Sequence, residues 1–150
     1  MRGQLNIYTE AVGQVAQLLH QGRVRTGNGF GAVSYTHLDV YKRQVTDLSY
    51  AVTSAFYCGK LVLACSTYDG GLFPPMKEFL DHLQTKGFRN RRIGLIENGS
   101  WAPAAARLMR AELEKMKELR LCETEVSLRG ALNQTSEVQM DALVAELCAE

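Results

Sequence analysis

Downstream of residue 44, the apolar positions follow two alternating patterns along the chain. In four segments they recur at helical spacing, which places apolar side chains on one face of a helix. Between them lie short runs typical of strands, namely LVLAC (Leu61–Cys65), RIGLIE (Arg92–Glu97) and the alternating LCETEVSL (Leu121–Leu128). The order, with helices first and last, predicts an α/β fold with a doubly wound parallel sheet, since such connections are right-handed and parallel.

Capping and helix-breaking residues mark where the predicted helices begin. The predicted openings are Thr46 or Asp47, Pro74 with Pro75, Pro103, and Ser136, which has capping-box spacing to Gln139. The last helix carries a complete apolar stripe, formed by Met140, Leu143, Val144 and Leu147.

Composition and charge narrow the class of protein. The chain has 150 residues, enough for one globular domain, and its 46% hydrophobic content is ordinary for a soluble fold. A net charge of +1 gives no reason to expect nucleic acid or an anionic membrane as a partner, and no apolar run has the length of a membrane span. The N-terminal residues lack the pattern of a secretion signal, so we expect a cytoplasmic protein.

Cysteine and histidine spacing gives no sign of a metal centre. The cysteines contain no C-x-x-C pair, so we expect buried, reduced thiols at Cys58, Cys65, Cys122 and Cys148. Neither H-x-H nor H-x-x-x-H spacing occurs among His20, His37 and His82. We therefore expect no metal site and no complete catalytic site in this chain.

Two loops that follow predicted strands carry the candidate chemistry. In an open parallel sheet, ligands bind beyond the carboxyl ends of the strands. The first loop, Ser66–Met76, contains two glycines that permit positive φ, and the second, Glu97–Ala106, contains an Asn-Gly turn and the only tryptophan. Taken singly, each loop is compatible with an ordinary turn. Trp101 is likewise compatible with a packed side chain that has no binding role.

From about Val45 to Ala149, the chain resembles the flavodoxin-like FMN domain of flavodiiron proteins, the A-type flavoproteins of anaerobic microbes. STYDGGLFPPMKEFLDHL is similar to that family's loop after the third strand, and IGLIENGSWAPAAARLM to its loop after the fourth. Both loops flank the flavin ring in the family. The resemblance implies a flavodoxin-like doubly wound sheet that is incomplete, with the first strand, phosphate loop and first helix missing or replaced.

The resemblance also implies which residues bind the cofactor FMN. One side of its ring would be lined by Ser66, Thr67, Tyr68, Asp69, Gly70 and Gly71, and the other by Asn98, Gly99, Ser100 and Trp101. A backbone group near Gly70 would bond the flavin N5, and Trp101 would supply a stacking face. Asp69 stands where the family often has Asn, and a carboxylate there would disfavour the anionic reduced ring. The redox chemistry would belong to the cofactor.

A phosphate loop at a helix N-terminus is expected before residue 46, but no stretch fits it well. RTGNG (Arg25–Gly29) has suitable residue types, but no strand precedes it. IYTEAVGQVAQLL has the expected strand–turn–helix pattern, but it has too few glycines and hydroxyl groups to surround a phosphate. We therefore expect weak or no FMN binding. We also expect the LVLAC strand to be an aggregation-prone edge unless LNIY (Leu5–Tyr8) covers it.

The stretch VSYTHLDVYKRQ (Val33–Gln44) places His37, Asp39 and Tyr41 at strand-like spacing. No neighbouring nucleophile or glycine-rich turn supports a catalytic loop, and an ordinary polar strand or loop is the plainer alternative. DVYKRQ is what GAT GTG TAT AAG AGA CAG encodes, which resembles the transposase end sequence used in sequencing libraries. We therefore expect an unassigned segment at 1–32, adaptor-derived peptide at 33–44, and a partial flavodoxin-like FMN-binding domain at 45–150.

The leading functional hypothesis is an FMN-binding electron-transfer domain from a flavodiiron O2 or NO reductase. In the intact parent, the resemblance implies a rubredoxin-like or NAD(P)H-linked electron donor and a diiron domain as partners. This chain supplies no ligand set for the diiron site. The alternatives are a stand-alone flavodoxin-type electron carrier, or a degenerate flavodoxin-like domain that binds no flavin and serves as an interaction module.

Overall fold

A computed structural model describes residues 47–130 and 133–149. Its elements are α1 (Leu48–Tyr57), β1 (Lys60–Tyr68), β2 (Gly71–Leu72), α2 (Pro74–Thr85), β3 (Arg91–Asn98), α3 (Ala105–Leu113), β4 (Leu119–Leu128) and α4 (Gln134–Cys148). The predicted alternation of helix and strand is confirmed, and β2 is an additional short strand. The expectations for residues 1–32 and 33–44, including the first strand, phosphate loop and first helix, lie outside the described residues.

Within the described residues, four strands form one sheet in the order β2–β1–β3–β4. The pairs β1–β3 and β3–β4 are parallel, while β2 pairs antiparallel with the end of β1. The strand β3 therefore lies between two parallel neighbours, and its run Ile93–Ile96 is fully buried. This confirms the predicted α/β fold, and the antiparallel β2 makes the sheet mixed rather than wholly parallel.

Helices cover both faces of the sheet, as the doubly wound prediction requires. On one face, α1, α2 and α3 pack over Leu63 and Leu95. On the other face, α4 packs over Ile96 and Val126. Adjacent strand residues serve opposite faces because successive side chains of a strand point to opposite sides. The predicted stripe of α4 is confirmed, since its four residues are all buried: Met140, Leu143, Val144 and Leu147.

The N-termini of α1 and α4 test the predicted caps. Asp47 caps α1, because its Oδ1 accepts a hydrogen bond from the Ser49 amide at 2.7 Å. In α4, Asn133 is the N-cap and forms a capping box with Ser136. The predicted capping box between Ser136 and Gln139 is wrong, because Asn133 takes the cap and Gln139 instead accepts a hydrogen bond from a β4 amide.

The strand β4 bulges where it loses register with β3. Between its pairings with Ile93 and Leu95 of β3, β4 carries extra residues. Glu146 of α4 accepts hydrogen bonds from the amides of Glu123 and Thr124 at 2.6 and 2.9 Å. Burial acts to raise the pKa of Glu146, but these amide hydrogen bonds outweigh it and hold the pKa below its ordinary value. The carboxylate thus supplies acceptors to the bulged backbone.

The four cysteines all lie in the described residues, and no disulfide links them. Cys65 and Cys122 are buried, as expected, whereas Cys58 and Cys148 are partly exposed. Burial raises the pKa of both buried thiols to about 11. They are therefore protonated near neutral pH and sterically covered.

We expect thiol reagents to separate these two classes of cysteine. Because the thiolate is the nucleophile, native protein near neutral pH should react at Cys58 and Cys148 and spare Cys65 and Cys122. Unfolding in guanidinium should make all four reactive, as measured by alkylation and peptide mass spectrometry. Rapid native labelling of either buried thiol would contradict the described packing.

Candidate functional site

The carboxyl ends of the three parallel strands meet at one edge of the sheet. Ser66 of β1 pairs with Asn98 of β3, and Asn98 pairs with Leu128 of β4. The two candidate loops therefore leave neighbouring strands at the same level. The site is built by this register, since the loops are about thirty residues apart in sequence.

The first loop folds into a tight β-hairpin. The strand β2 pairs with Thr67 and Tyr68 at the end of β1, and Asp69 and Gly70 form the turn. Their φ values are 49° and 68°, and positive φ at both central residues is the mark of a type I′ turn, for which Asp-Gly is a preferred sequence. Gly70 has the expected positive φ and Gly71 does not. The Asp-Gly pair is the sequence signal for this hairpin, which the apolar pattern did not reveal.

Thr67 joins the hairpin to the start of α3. Its Oγ1 accepts hydrogen bonds from the amides of Ala104 and Ala105, at 2.9 and 3.2 Å. The helix itself offers no side-chain cap, because its N-cap residue is Ala104. Pro103, predicted near the first turn, lies just before the helix. The Thr67 hydroxyl is thus committed to the helix N-terminus.

Glu97 lies near the carboxyl end of β3, beside the candidate site, and the sequence did not mark it as important. It is buried, with 9% of its surface exposed. Its Oε2 accepts a hydrogen bond from the Ala106 amide at 2.9 Å, and its Oε1 accepts one from the Ser127 hydroxyl at 3.0 Å. A glutamate ending a buried strand is the only sequence signal, and it does not reveal either partner.

Asn98 is the most buried of the predicted site residues, with 1% of its surface exposed. Its Oδ1 accepts a hydrogen bond from the Gly130 amide at 3.2 Å, which ties the loop after β4 to β3. Its Nδ2 is buried and has no hydrogen-bond partner among the described residues. A buried amide donor without an acceptor is costly, so this atom is a candidate for bonding an added group.

The second loop is closed at its base and open at its tip. The Gly99 amide donates to the Leu128 carbonyl at 3.0 Å. A Cβ on Gly99 would lie 2.8 Å from the Cα of Pro103, so only glycine allows this close approach. Ser100 and Trp101 lie at the tip, where Trp101 is 98% exposed. The alternative that Trp101 is a packed core residue is therefore wrong.

Three exposed aromatic side chains lie on the loops at this edge. Tyr68 is 52% exposed and Phe73 40% exposed, and their rings meet edge to face with centroids 6.0 Å apart. Trp101 adds a third exposed ring, on the second loop. Exposed aromatic rings at the strand ends are suited to stacking on a flat ring ligand.

The predicted site residues fall into three classes of exposure. Exposed positions are Tyr68, Asp69, Gly70, Ser100 and Trp101. Partly buried positions are Ser66, Thr67, Gly71 and Gly99, while Asn98 is buried. The register places both loops at one edge, but the hydroxyl of Thr67 is used in a contact between the two loops, and the side chain of Asn98 bonds the loop after β4.

Neither a metal site nor a membrane helix is found in the described part of the chain. No group of three or more His, Cys, Asp or Glu side chains could hold a metal ion within residues 47–130 and 133–149. No helix in those ranges is long and apolar enough to cross a membrane. An open groove of about 520 Å³ lies between α1 and α2, beside His82 and Lys86, away from the predicted site residues.

Scans of the sequence against family models and against curated proteins gave no match. Solved structures do resemble the chain. A flavodoxin from the domain Archaea has a TM-score of 0.68 at 13% identity, covering 98% of this chain and 90% of that one. Oxidised Flavodoxin 1 from Bacillus cereus has a TM-score of 0.64 at 14% identity, covering 99% and 94%.

The chain has a flavodoxin-like fold. Similarity extends to rubredoxin oxygen:oxidoreductase from the anaerobe Desulfovibrio gigas, with a TM-score of 0.56 at 14% identity. That alignment covers 60% of this chain and 22% of that one, so the chain spans under a quarter of the larger protein. At these identities the similarities establish the fold alone.

Proposed function

We propose that the edge formed by the two loops binds the isoalloxazine ring of FMN and that the domain transfers electrons. The observation that carries this is the pairing of Ser66 with Asn98, which sets the hairpin and the Trp101 loop side by side. Each loop presents an exposed aromatic side chain, Tyr68 or Trp101. The similarity to two flavodoxins supports the same ligand.

The described residues fit the ring half of FMN. Trp101 and Tyr68 offer exposed aromatic faces for stacking, and the hairpin turn at Asp69 and Gly70 offers backbone groups in an exposed, sharply turned segment. The Nδ2 of Asn98 supplies a buried donor that needs an acceptor. Contacts to the phosphate would come from the chain before residue 47, as a proposal from the sequence alone.

FMN, when bound, would supply one- and two-electron redox chemistry. This chain's own residues would bind and orient the ring, exclude water from one face and set the local charge. Asp69 is an exposed carboxylate at the hairpin tip, and its negative charge would oppose a gain of negative charge on a nearby ring.

The finer proposal is that the domain belongs to a flavodiiron O2 or NO reductase. The similarity to rubredoxin oxygen:oxidoreductase supports it. A rubredoxin-like or NAD(P)H-linked donor and a diiron domain would then be the partners of the intact parent. A stand-alone flavodoxin-type carrier is the second candidate, favoured by the 90% and 94% coverage of the two flavodoxins. The division of the chain at residues 33–44 stays a proposal.

Titration with FMN tests ring binding directly. We expect the full chain to quench FMN fluorescence saturably, with a Kd in the micromolar range or weaker, because no stretch of the sequence fits a phosphate loop well. Of the two outcomes that the sequence leaves open, weak binding and no binding, the proposal requires weak binding. Trp101→Ala should weaken binding about tenfold, the loss expected of one aromatic contact. Tyr57→Ala is the matched control, since Tyr57 is 86% exposed but lies on α1.

Two outcomes would contradict the proposal. One is the absence of saturable quenching by the unmodified chain, which would favour a degenerate domain. The other is an equal affinity for FMN in the Trp101→Ala and Tyr57→Ala variants, which would place the ring elsewhere. Circular dichroism of each variant establishes that it is folded.

A further inference from the structure

The start of α3 has backbone donors that its own sequence cannot satisfy. Its N-cap is Ala104 and its first two residues are Ala105 and Ala106, and none of them has a side chain that can accept a hydrogen bond. The first amides of any helix lack intrahelical acceptors. Here the acceptors come from two other elements, Thr67 at the end of β1 and Glu97 at the end of β3.

Glu97 closes the loop that carries Trp101. Its carboxylate bonds the amide of Ala106, nine residues along the chain, and Trp101 lies between these two positions. The second carboxylate oxygen bonds Ser127 of β4, which fixes the carboxylate from the other side. Because Gly99 also contacts Pro103 closely, both ends of the loop are held at its base.

The carboxylate of Glu97 is compensated by the helix rather than by a cation. It forms no ion pair with a described Lys, Arg or His, whose ion pairs within residues 47–130 and 133–149 involve other partners. The N-terminus of α3 carries partial positive charge, which favours a carboxylate at this place. The buried Glu97 carboxylate, with two hydrogen-bond donors and a helix N-terminus beside it, therefore holds the end of the loop at a fixed position against α3 and β4.

We propose that Glu97 is a positioning residue of the ring-binding site. It does not contact the ligand; it fastens the base of the loop and thereby fixes where Trp101 stands relative to the hairpin. Its relevance to flavin rests on the proposed function, while its hold on the loop does not. The Thr67 hydroxyl fastens the preceding amides of the same turn to the hairpin.

The test uses the full chain without flavin, because Trp101 is the only tryptophan and reports on this loop alone. Glu97→Ala should lower the anisotropy of Trp101 fluorescence and speed hydrogen exchange of the Ala106 amide about tenfold relative to the β3 amides. Glu97→Gln should restore most of both signals, since its carbonyl can still accept from Ala106. Glu114→Ala is the control, because Glu114 is an exposed glutamate just beyond the same helix.

The outcomes separate a local fastening from ordinary stabilisation. Exchange that rises equally at Ala106 and throughout the β3 amides would overturn the proposal, as would unchanged anisotropy in a folded Glu97→Ala variant. If that variant does not fold, Ser127→Ala is the second variant to measure, and it should lower the anisotropy of Trp101 fluorescence by a smaller amount. Unchanged anisotropy in Ser127→Ala would then overturn the proposal.

FMN titration of the same variants gives an independent readout. Glu97→Ala should weaken FMN binding about as much as Trp101→Ala, and Glu97→Gln much less. Failure of the unmodified chain to bind FMN would contradict the proposed function but not the role of Glu97 in holding the loop, because the anisotropy and exchange experiments are done without the ligand.

Discussion

Leu143→Ala is expected to lower the free energy of unfolding by about 3 kcal/mol, as for other fully buried leucines. Leu143 is 0% exposed and belongs to α4, the one helix among the described residues that covers this face of the sheet. Truncation leaves a cavity against β3 that the strand backbone cannot fill. Urea denaturation followed by circular dichroism measures the change. Val138→Ala on the exposed side of α4 is the control and should stay within about 0.5 kcal/mol.

The packing of α4 against β3 also explains why a glycine, Gly94, stands in the middle of β3. A Cβ on Gly94 would lie 3.0 Å from Cδ1 of Leu143 and 3.2 Å from Cδ1 of Leu147. Gly94→Ala should therefore destabilise the fold by about 1 kcal/mol through overpacking. In the Gly94→Ala/Leu143→Ala double variant, the close contact with Leu143 is gone and only the one with Leu147 remains. The double variant should therefore lose less stability than the sum of the two single losses. Additive losses would contradict this packing.

Thr67→Val is expected to lower the free energy of unfolding by about 2 kcal/mol. Valine keeps the shape of the side chain but removes the Oγ1 that accepts from Ala104 and Ala105. The two amides then have no side-chain acceptor at the start of α3, whose N-cap is an alanine. Urea denaturation measures the loss, and hydrogen exchange of the Ala105 amide should rise most.

Thr67→Ser is the matched control, because it keeps the hydroxyl and removes only a methyl group. It should cost less than half as much as Thr67→Val. Equal losses in the two variants would mean that Thr67 acts through its methyl group, as a packed side chain. That result would also weaken the view that the hairpin and α3 are joined through this hydroxyl.

The order of elements followed from the sequence because it depends on local periodicity. The α4 stripe through Met140 and Leu147 repeats at helical spacing, and the buried strand at Ile93–Ile96 is a short apolar run between turns. Asp47 was a recognisable cap for α1. The cap of α4 was misassigned to Ser136 because Asn133, three residues earlier, is an equally good cap.

The candidate site was predictable only in part. The sequence and the family resemblance selected both loops, and the strand register places them at one edge. The roles within the loops were not predictable, since they depend on distant partners: Thr67 bonds residues thirty-seven and more positions away, and Glu97 bonds Ser127. The exposure of Trp101 was also not readable from its neighbours, because an indole is equally compatible with a packed position.

By itself, the sequence determined the α/β alternation, the buried faces of the helices and the positions of the two candidate loops, because these follow from side-chain period and turn chemistry within a few residues. Only the tertiary structure decided that Thr67 joins the hairpin to α3, that Glu97 closes the Trp101 loop and that Asn98 is buried. These features depend on which strands lie side by side and in what register. That register is set by packing of the whole sheet against its helices, so no short stretch of the chain encodes it.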